Sequence, residues 1–438
     1  MCPEDYQWGS AKAAYYDIEG RVDQRGRGHS IVDTFCGQPG KYADASSGWT
    51  ALDAYNRQAG DIALLRSLGR KSIRFSNSSR IPEGGAGDAV NRAGIDHYLK
   101  KSVDDSLSAG YTPFSTLFHV DLLHDAYGAL LNAHEFRLDF RNHARVMSRA
   151  SPKLRNWNGP LFSAYPAYGS ASFRPGRTST SEGPWTCGHN ILVAHGRRVK
   201  GYRDDSKPRS GDAQYGIRLN GDFHYPVDAA DRADKERLEF FTRWFADPIY
   251  LGDYRAAMRK DLGDELPHFT PGEAALVGLN DSYGMTHYTS SYICHRSIPA
   301  LADDHVGTVD WLFTTKQGTC IAPEDQLPLP VLRPLAAAFR SFLVVTSEYA
   351  SRHYYWTRNG TSIEGESQLP TEIKYLEAEV KIYNELIRAV VTAVGLDEVN
   401  VEFEFGYQYV DLEIGQRRSP RKSTKSLRPS FSELIEAA

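Results

Sequence analysis

A single (β/α)8 TIM barrel, an α/β fold, is the class this chain predicts, on three observations. Strand-like and helix-like segments alternate through nearly the whole length, which is the pattern of βαβ units around a parallel sheet. No long linker or low-complexity stretch divides residues 1–438, so one domain is expected. No GxGxxG follows a strand-like segment, which argues against a pair of Rossmann-type domains.

The strands are read in order from short runs rich in β-branched and aromatic residues. An opening strand fits Gln7–Tyr16. Then come Ser72–Ser76 (SIRFS), Pro113–His119 (PFSTLFH), Leu154–Trp157 (LRNW), Gln214–Asn220 (QYGIRLN), Ser282–Tyr288 (SYGMTHY), Tyr354–Thr357 (YYWT) and Val399–Phe405 (VNVEFEF). Helices fall between them. Ala51–Leu68 places Leu52, Tyr55, Ile62, Leu65 and Leu68 on one face and stops at Gly69. Ile95–Ala109 repeats the design with Ile95, Tyr98, Leu99, Val103 and Leu107, and stops at Gly110. Glu135–Arg149, Gly188–Tyr202, Lys235–Trp244, Leu335–Tyr349, Ile373–Val394 and a closing stretch Ser430–Ala438 complete the set.

Composition excludes several function classes. The net charge is -4 with acidic and basic residues nearly balanced, so no nucleic-acid partner is expected. The basic cluster QRRSPRKSTKSLR (Gln416–Arg428) reads as a solvated face. Cys2, Cys36, Cys187, Cys294 and Cys320 are scattered, odd in number and without a CxxC pair, which favours neither a disulfide framework nor a metal site. No apolar run approaches the ~20 residues of a membrane span, and MCPEDYQWGS shows no charged-then-apolar leader pattern, so no signal peptide is expected. A cytoplasmic protein without metal or membrane contact is expected. GGAGDAV (Gly84–Val90) lacks the lysine of a phosphate loop and reads as a surface loop. The 25 Tyr, 19 Phe and 7 Trp suit a large core, and also a cleft in which sugar rings stack.

In a barrel the chemistry belongs at the C-terminal strand ends. YWTRNGTS (355–362) is such a place, a buried strand leaving through a turn, with Arg358 at the junction. Together with WGSAKAAYYDIEG, GRGHSIVDTFC, IRFSNSSRIP, LFHVDL, RNWNGP, PGRTS, WFADPIYLGDY and YGMTHYTSSYI, it resembles glycoside hydrolase family 1, in the manner of the intracellular fungal β-glucosidases. The motifs run nearly end to end in the family's order. The resemblance implies a retaining β-glucosidase with a small β-glucoside or glucose as its partner and no cofactor. Retention needs two carboxyl groups roughly 5–5.5 Å apart, one as acid/base and one as nucleophile.

The resemblance places the acid/base in an Asn-Glu-Pro ending strand 4 and the nucleophile in a Thr-Glu-Asn-Gly ending strand 7. Here the first reads Asn158-Gly159-Pro160 and the second Thr357-Arg358-Asn359-Gly360. Gly159 cannot donate a proton, a service worth typically about 10²–10⁴-fold. Arg358 is cationic at any working pH and no nucleophile. Facing an oxocarbenium ion at ~4 Å and an effective dielectric near 20, it repels by about 4 kcal/mol. Impaired or absent catalysis follows, with a sugar- or anion-binding pseudo-enzyme as the alternative. Glu364 and Glu366, just past the turn, are the displaced carboxylates an active enzyme would need.

Other positions keep the family's residues. Arg74 matches the arginine beside the nucleophile, Tyr288 the tyrosine that contacts it, and His119 and Asn158 the contacts to sugar hydroxyls. Tyr16-Asp17 stands, with one residue inserted, for the family's Tyr-Gln, whose amide grips sugar hydroxyls, so the resemblance makes Asp17 a substrate-binding position in a strand whose side-chain alternation the insertion flips. Val120 replaces a Trp and Thr286 an Asn. Strand 4 is shortened relative to the family, and the strand 8 region is truncated after Val401. Asp17 and Asp121 are the carboxylates expected to pair with Arg74 and Arg358.

Overall fold

The computed structural model describes residues 8–13, 30–41, 54–67, 69–77, 90–119, 129–161, 164–169, 175–176, 183–205, 213–227, 243–295, 309–314, 318, 339–341, 343, 349, 354–358, 384–389, 392, 408–411 and 416–420. Seven strands form one parallel sheet: β1 (Gly9–Ala11), β2 (Ser72–Ser76), β3 (Thr112–His119), β4 (Asn156–Leu161), β5 (Gln214–Asn220), β7 (Ser282–Thr286) and β10 (Tyr354–Arg358), hydrogen-bonded in that order. The sheet curls until β1 and β10, the ends of the order, come within 8 Å between Cα atoms. Helices separate consecutive strands, as parallel crossovers require.

A second, three-stranded sheet grows from the C-terminal ends of β5 and β7. It consists of β6 (Phe223–Pro226), β8 (Ser290–His295) and β9 (Val309–Leu312), with β6 parallel to β8 and β9 antiparallel to it. β11 (Gln408–Asp411) and β12 (Gln416–Pro420) form an antiparallel hairpin.

Residues opposite each other in a parallel sheet share a face, and the stacked rings show which face is which. Trp157 lies opposite Tyr215 and stacks on it at 5.9 Å, and Tyr202 of the helix Gly183–Asp205 packs on Tyr215 at 4.0 Å. Tyr283, opposite Ile217, meets Tyr250 of the helix 243–251 at 5.6 Å. These rows therefore face the helices and form the apolar core. The alternate row carries Ser72, Arg74, Ser76, Thr116, Asn158, Arg218, Ser282 and Thr286, all buried, and faces the barrel interior, except that Phe118 at the end of β3 packs on Phe136 and Phe140 of the helix Ala133–Ala150. Strands buried on both faces ordinarily read as near-continuous apolar runs; here the inner row is largely polar, with Phe114 opposite Arg74 an apolar member.

Local signals held where the chain carries its own stops. Gly69 (φ 67°) and Gly110 (φ 82°) take the left-handed conformation that ends the preceding helices, as their positions predict. The predicted bounds of β2 and β5 agree with the structure. The helix expected over Ile95–Ala109 is composite: Arg92–Ile95, a π-helical Asp96–Lys101, then Ser102–Ser108, with the Ser102 hydroxyl bonded to the His97 carbonyl five residues back. Among the described helices that the sequence pattern missed, two carry capping boxes: Ile31–Cys36, capped by Ser30 and Asp33, and Pro271–Val277, capped by Thr270 and Glu273.

β4 departs most from expectation. It runs from Asn156 to Leu161, starting two residues later and ending four residues later than the expected Leu154–Trp157. Asn158 pairs with Thr116 on one side and Gly216 on the other, so two fixed neighbours carry the segment as strand despite its turn residues. The expected strand Val399–Phe405, the helix Ser430–Ala438 and most of Lys235–Trp244 lie outside the described residues. No described helix is long and apolar enough to cross a membrane.

Candidate active site

Inside the barrel, Thr116 is the hub of a buried polar layer. Its Oγ1 accepts a hydrogen bond from Arg74 Nε at 2.9 Å and faces Asn158 Nδ2 at 3.4 Å. These three residues come from β2, β3 and β4, and each is at most 1 % exposed. The structure thus brings Arg74 and Asn158 together, two of the residues expected to meet a sugar. It sets Asn158 in the middle of β4, three positions below the level of His119, which pairs with Leu161. His119 sits at the C-terminal end of β3, half-buried, with Nδ1 3.3 Å from Ser76 Oγ.

Gly159 does not face this layer. A Cβ built on it would stand 2.7 Å from His195 Nδ1 and 3.2 Å from the Gly216 carbonyl oxygen. His195 belongs to the helix Gly183–Asp205, outside the sheet. A side chain at 159, the position the sequence matches to the family's acid/base, would point into the sheet–helix interface. The reason is the period of two along a strand: neighbours Asn158 and Gly159 take opposite faces, and Asn158 takes the inner one.

Arg358 ends β10. A register shift between Trp356 and Arg358 brings it opposite Thr286 at the C-terminal end of β7. Its side chain lies outside the described residues, as do Asp17, Asp121, Glu364 and Glu366.

Past Thr286 come His287, fully buried, and Tyr288, half-buried. Thr286 Oγ1 donates to Asn220 Oδ1 at 2.9 Å, tying the ends of β7 and β5. Burial pushes the imidazole pKa of His287 down to about 3, helped by the nearby His224, which burial lowers to about 4. Both are neutral at working pH. Asp222, just past β5, is pushed up to about 6 by burial, against the pull of backbone N–H groups from Thr289 and Tyr288.

Two features were missed in the sequence. Arg218 is buried on the inner face of β5, where its guanidinium passes over Gly284 and occupies the place a Cβ there would need. The signal was present as an arginine within an otherwise apolar strand pattern. Asp222 carried no signal, because its partners are backbone groups far along the chain.

A curled parallel sheet with buried polar side chains on its inner face, and with His119, Thr286 and Arg358 at its C-terminal strand ends, is a barrel that places its chemistry at those ends. Residues 1–428 match the family model "Glycosyl hydrolase family 1", and the chain belongs to that family. It is 38% identical over 432 residues to beta-glucosidase 1B of Phanerodontia chrysosporium, covering 93% of this chain and 78% of that protein. Among solved structures it is similar to beta-glucosidase 2 of Trichoderma reesei in complex with Tris, with 63% identity, a TM-score of 0.91, and coverage of 99% of this chain and 100% of that one. It is also similar to a β-glucosidase of Humicola insolens in complex with glucose, with 46% identity, a TM-score of 0.90 and 98% of each chain covered. The fold is accordingly the (β/α)8 barrel of these β-glucosidases.

Proposed function

We propose that this chain is a β-glucosidase-family barrel, a single unit over 1–438, that takes glucose or a small β-glucoside and does not carry out retaining hydrolysis. The observation that carries it is Arg358 at the end of β10, opposite Thr286, within a Thr-Arg-Asn-Gly where the family resemblance calls for a nucleophilic glutamate. A guanidinium can neither bond to the anomeric carbon nor stabilise its positive charge. Gly159 supplies no proton donor, and its geometry supports the same conclusion. Arg74, Asn158, His119 and Tyr288 are the residues proposed to hold the sugar. A cytoplasmic location, with no nucleic-acid or membrane partner, belongs to the same proposal.

A second reading, a pseudo-enzyme that binds an anion or an acidic sugar, is favoured by Arg218 of β5, a buried guanidinium in addition to that of Arg74 of β2. Calorimetry with glucose, gluconate and phosphate separates the two.

The deciding experiment is turnover of an aryl β-glucoside, with and without azide, by the parent and by Arg358→Glu. An activated aryl group leaves without an acid, and azide attacks the glucosyl-enzyme to release β-glucosyl azide. The expected result is a silent parent and a variant that forms the azide product. Turnover by the parent that scales with purified protein would overturn the proposal.

A further inference from the structure

Two connections leave the barrel side by side, from β5 to β6 and from β7 to β8. They are laced together by Thr286 Oγ1 to Asn220 Oδ1 (2.9 Å), the Gly221 N–H to the Thr286 carbonyl (2.9 Å) and the Phe223 N–H to the Thr289 carbonyl (3.3 Å). Beyond them the backbone ladder resumes, with Phe223 opposite Ser290. Residues 287–289 are the interruption: the two strands cannot stay in step there, because this side has more residues to place than the other. Asp222 fills the gap. Its Oδ1 accepts the Thr289 N–H at 3.2 Å, and the Tyr288 N–H also points to its carboxyl group. A side chain does here what a neighbouring backbone carbonyl does elsewhere in a sheet.

We propose that Asp222 is a positioning residue whose carboxylate holds the 287–289 connection, and with it Tyr288, at the mouth of the barrel. Its Oδ1 accepts the Thr289 N–H directly across the gap, and losing a hydrogen bond to a buried N–H is costly. His287 anchors the same connection from inside, buried and 3.5 Å from Ser290 Oγ. Tyr288 is thus fixed between an imidazole packed in the interior and a carboxylate across the gap. The effect on sugar binding rests on the proposed function above; the effect on the backbone does not.

The test is hydrogen exchange of the peptide covering 286–290 in the parent, Asp222→Ala and Asp222→Asn, beside glucose calorimetry on each. Asp222→Ala is expected to raise exchange in that peptide by roughly tenfold or more, with other peptides unchanged. Asp222→Asn keeps one acceptor oxygen without the charge and is expected to restore most of the protection. Glucose affinity is expected to fall in Asp222→Ala and recover in Asp222→Asn. If Asp222→Ala does not fold, Asp222→Asn alone decides, through a smaller rise confined to 286–290. Unchanged exchange there in a folded variant overturns the positioning role. If the exchange differs while the parent binds no glucose, the positioning role stands and the sugar-binding proposal falls. If the parent binds glucose and exchange is unmoved, the reverse holds.

Discussion

Gly159 and His195 touch across the interface between β4 and the helix Gly183–Asp205, with 2.7 Å between the imidazole Nδ1 and the place a Cβ would occupy. His195 is held there by Asn280, whose Oδ1 lies 3.2 Å from its Nε2. Asn280 is itself fixed, its Oδ1 accepting the Ile217 N–H and its Nδ2 donating to the Tyr250 hydroxyl and the Ser282 carbonyl. The imidazole is buried, and its Asn280 partner is itself held in place. Glycine is therefore a packing requirement of this interface.

Gly159→Ala is expected to cost about 1–3 kcal/mol, the usual price of overpacking. Gly159→Glu is expected to cost more and to add nothing to the azide rescue of Arg358→Glu, since it faces away from the barrel interior. Chemical denaturation of Gly159→Ala, His195→Ala and the double variant checks this. The double variant should be more stable than the sum of the single losses predicts; additive losses would mean that the two residues do not collide.

The Thr116 hydroxyl joins β2 to β4 through Arg74 and Asn158. Thr116→Val removes the acceptor and keeps the shape. A loss of about 1–3 kcal/mol is expected for leaving buried donors unmet, with Thr116→Ser recovering most of it. Denaturant midpoints at constant slope are the measurement.

Outside the sheet, Arg137 reaches Glu273 at 2.6 Å and Asn190 at 2.9 Å, joining the helices Ala133–Ala150, Gly183–Asp205 and Pro271–Val277. The Glu273 pKa is lowered by its bonds to Thr270 and by Arg137, although burial alone would raise it. Glu273→Ala strands a largely buried guanidinium and is expected to cost about 3–5 kcal/mol. Arg137→Met with Glu273→Ala should cost less than Glu273→Ala alone. Thermal or chemical unfolding of the three variants distinguishes the outcomes.

The protein should lose stability in mild acid. Burial lowers His189, His195 and His224 to about 4 and His287 to about 3. Their unfolded forms take up protons near pH 6.5, before the folded forms do. Stability from these groups is full above about 6.5 and is lost as pH falls toward 4 and 3. Asp222, raised to about 6, opposes this: it favours the folded state at low pH, and its contribution fades as pH rises through 6. Four histidines outweigh one aspartate, so the denaturation midpoint should fall between pH 6.5 and 4. His195→Gln should flatten part of that slope; an unchanged slope would mean His195 is not the neutral, buried group described.

The chain by itself determined the elements that rest on neighbours in sequence. Gly69 and Gly110 end helices because left-handed backbone needs no partner. SIRFS and QYGIRLN are strands in any parallel context. The Thr-Arg-Asn-Gly at the end of β10 was likewise visible at once, as was the family. What only the tertiary structure decided is which way residues face and whom they meet. Asn158-Gly159-Pro160 is a turn by local preference and a strand by virtue of β3 and β5 on either side. That choice turned Gly159 toward His195, 36 positions further along the sequence, and Asn158 toward Thr116. Asp222 and Arg218 gained their surroundings in the same way, from strands that follow much later. Local preference is worth a fraction of a kcal/mol per residue, whereas two paired neighbours and a packed face amount to several, so the fold overrules the sequence wherever they disagree.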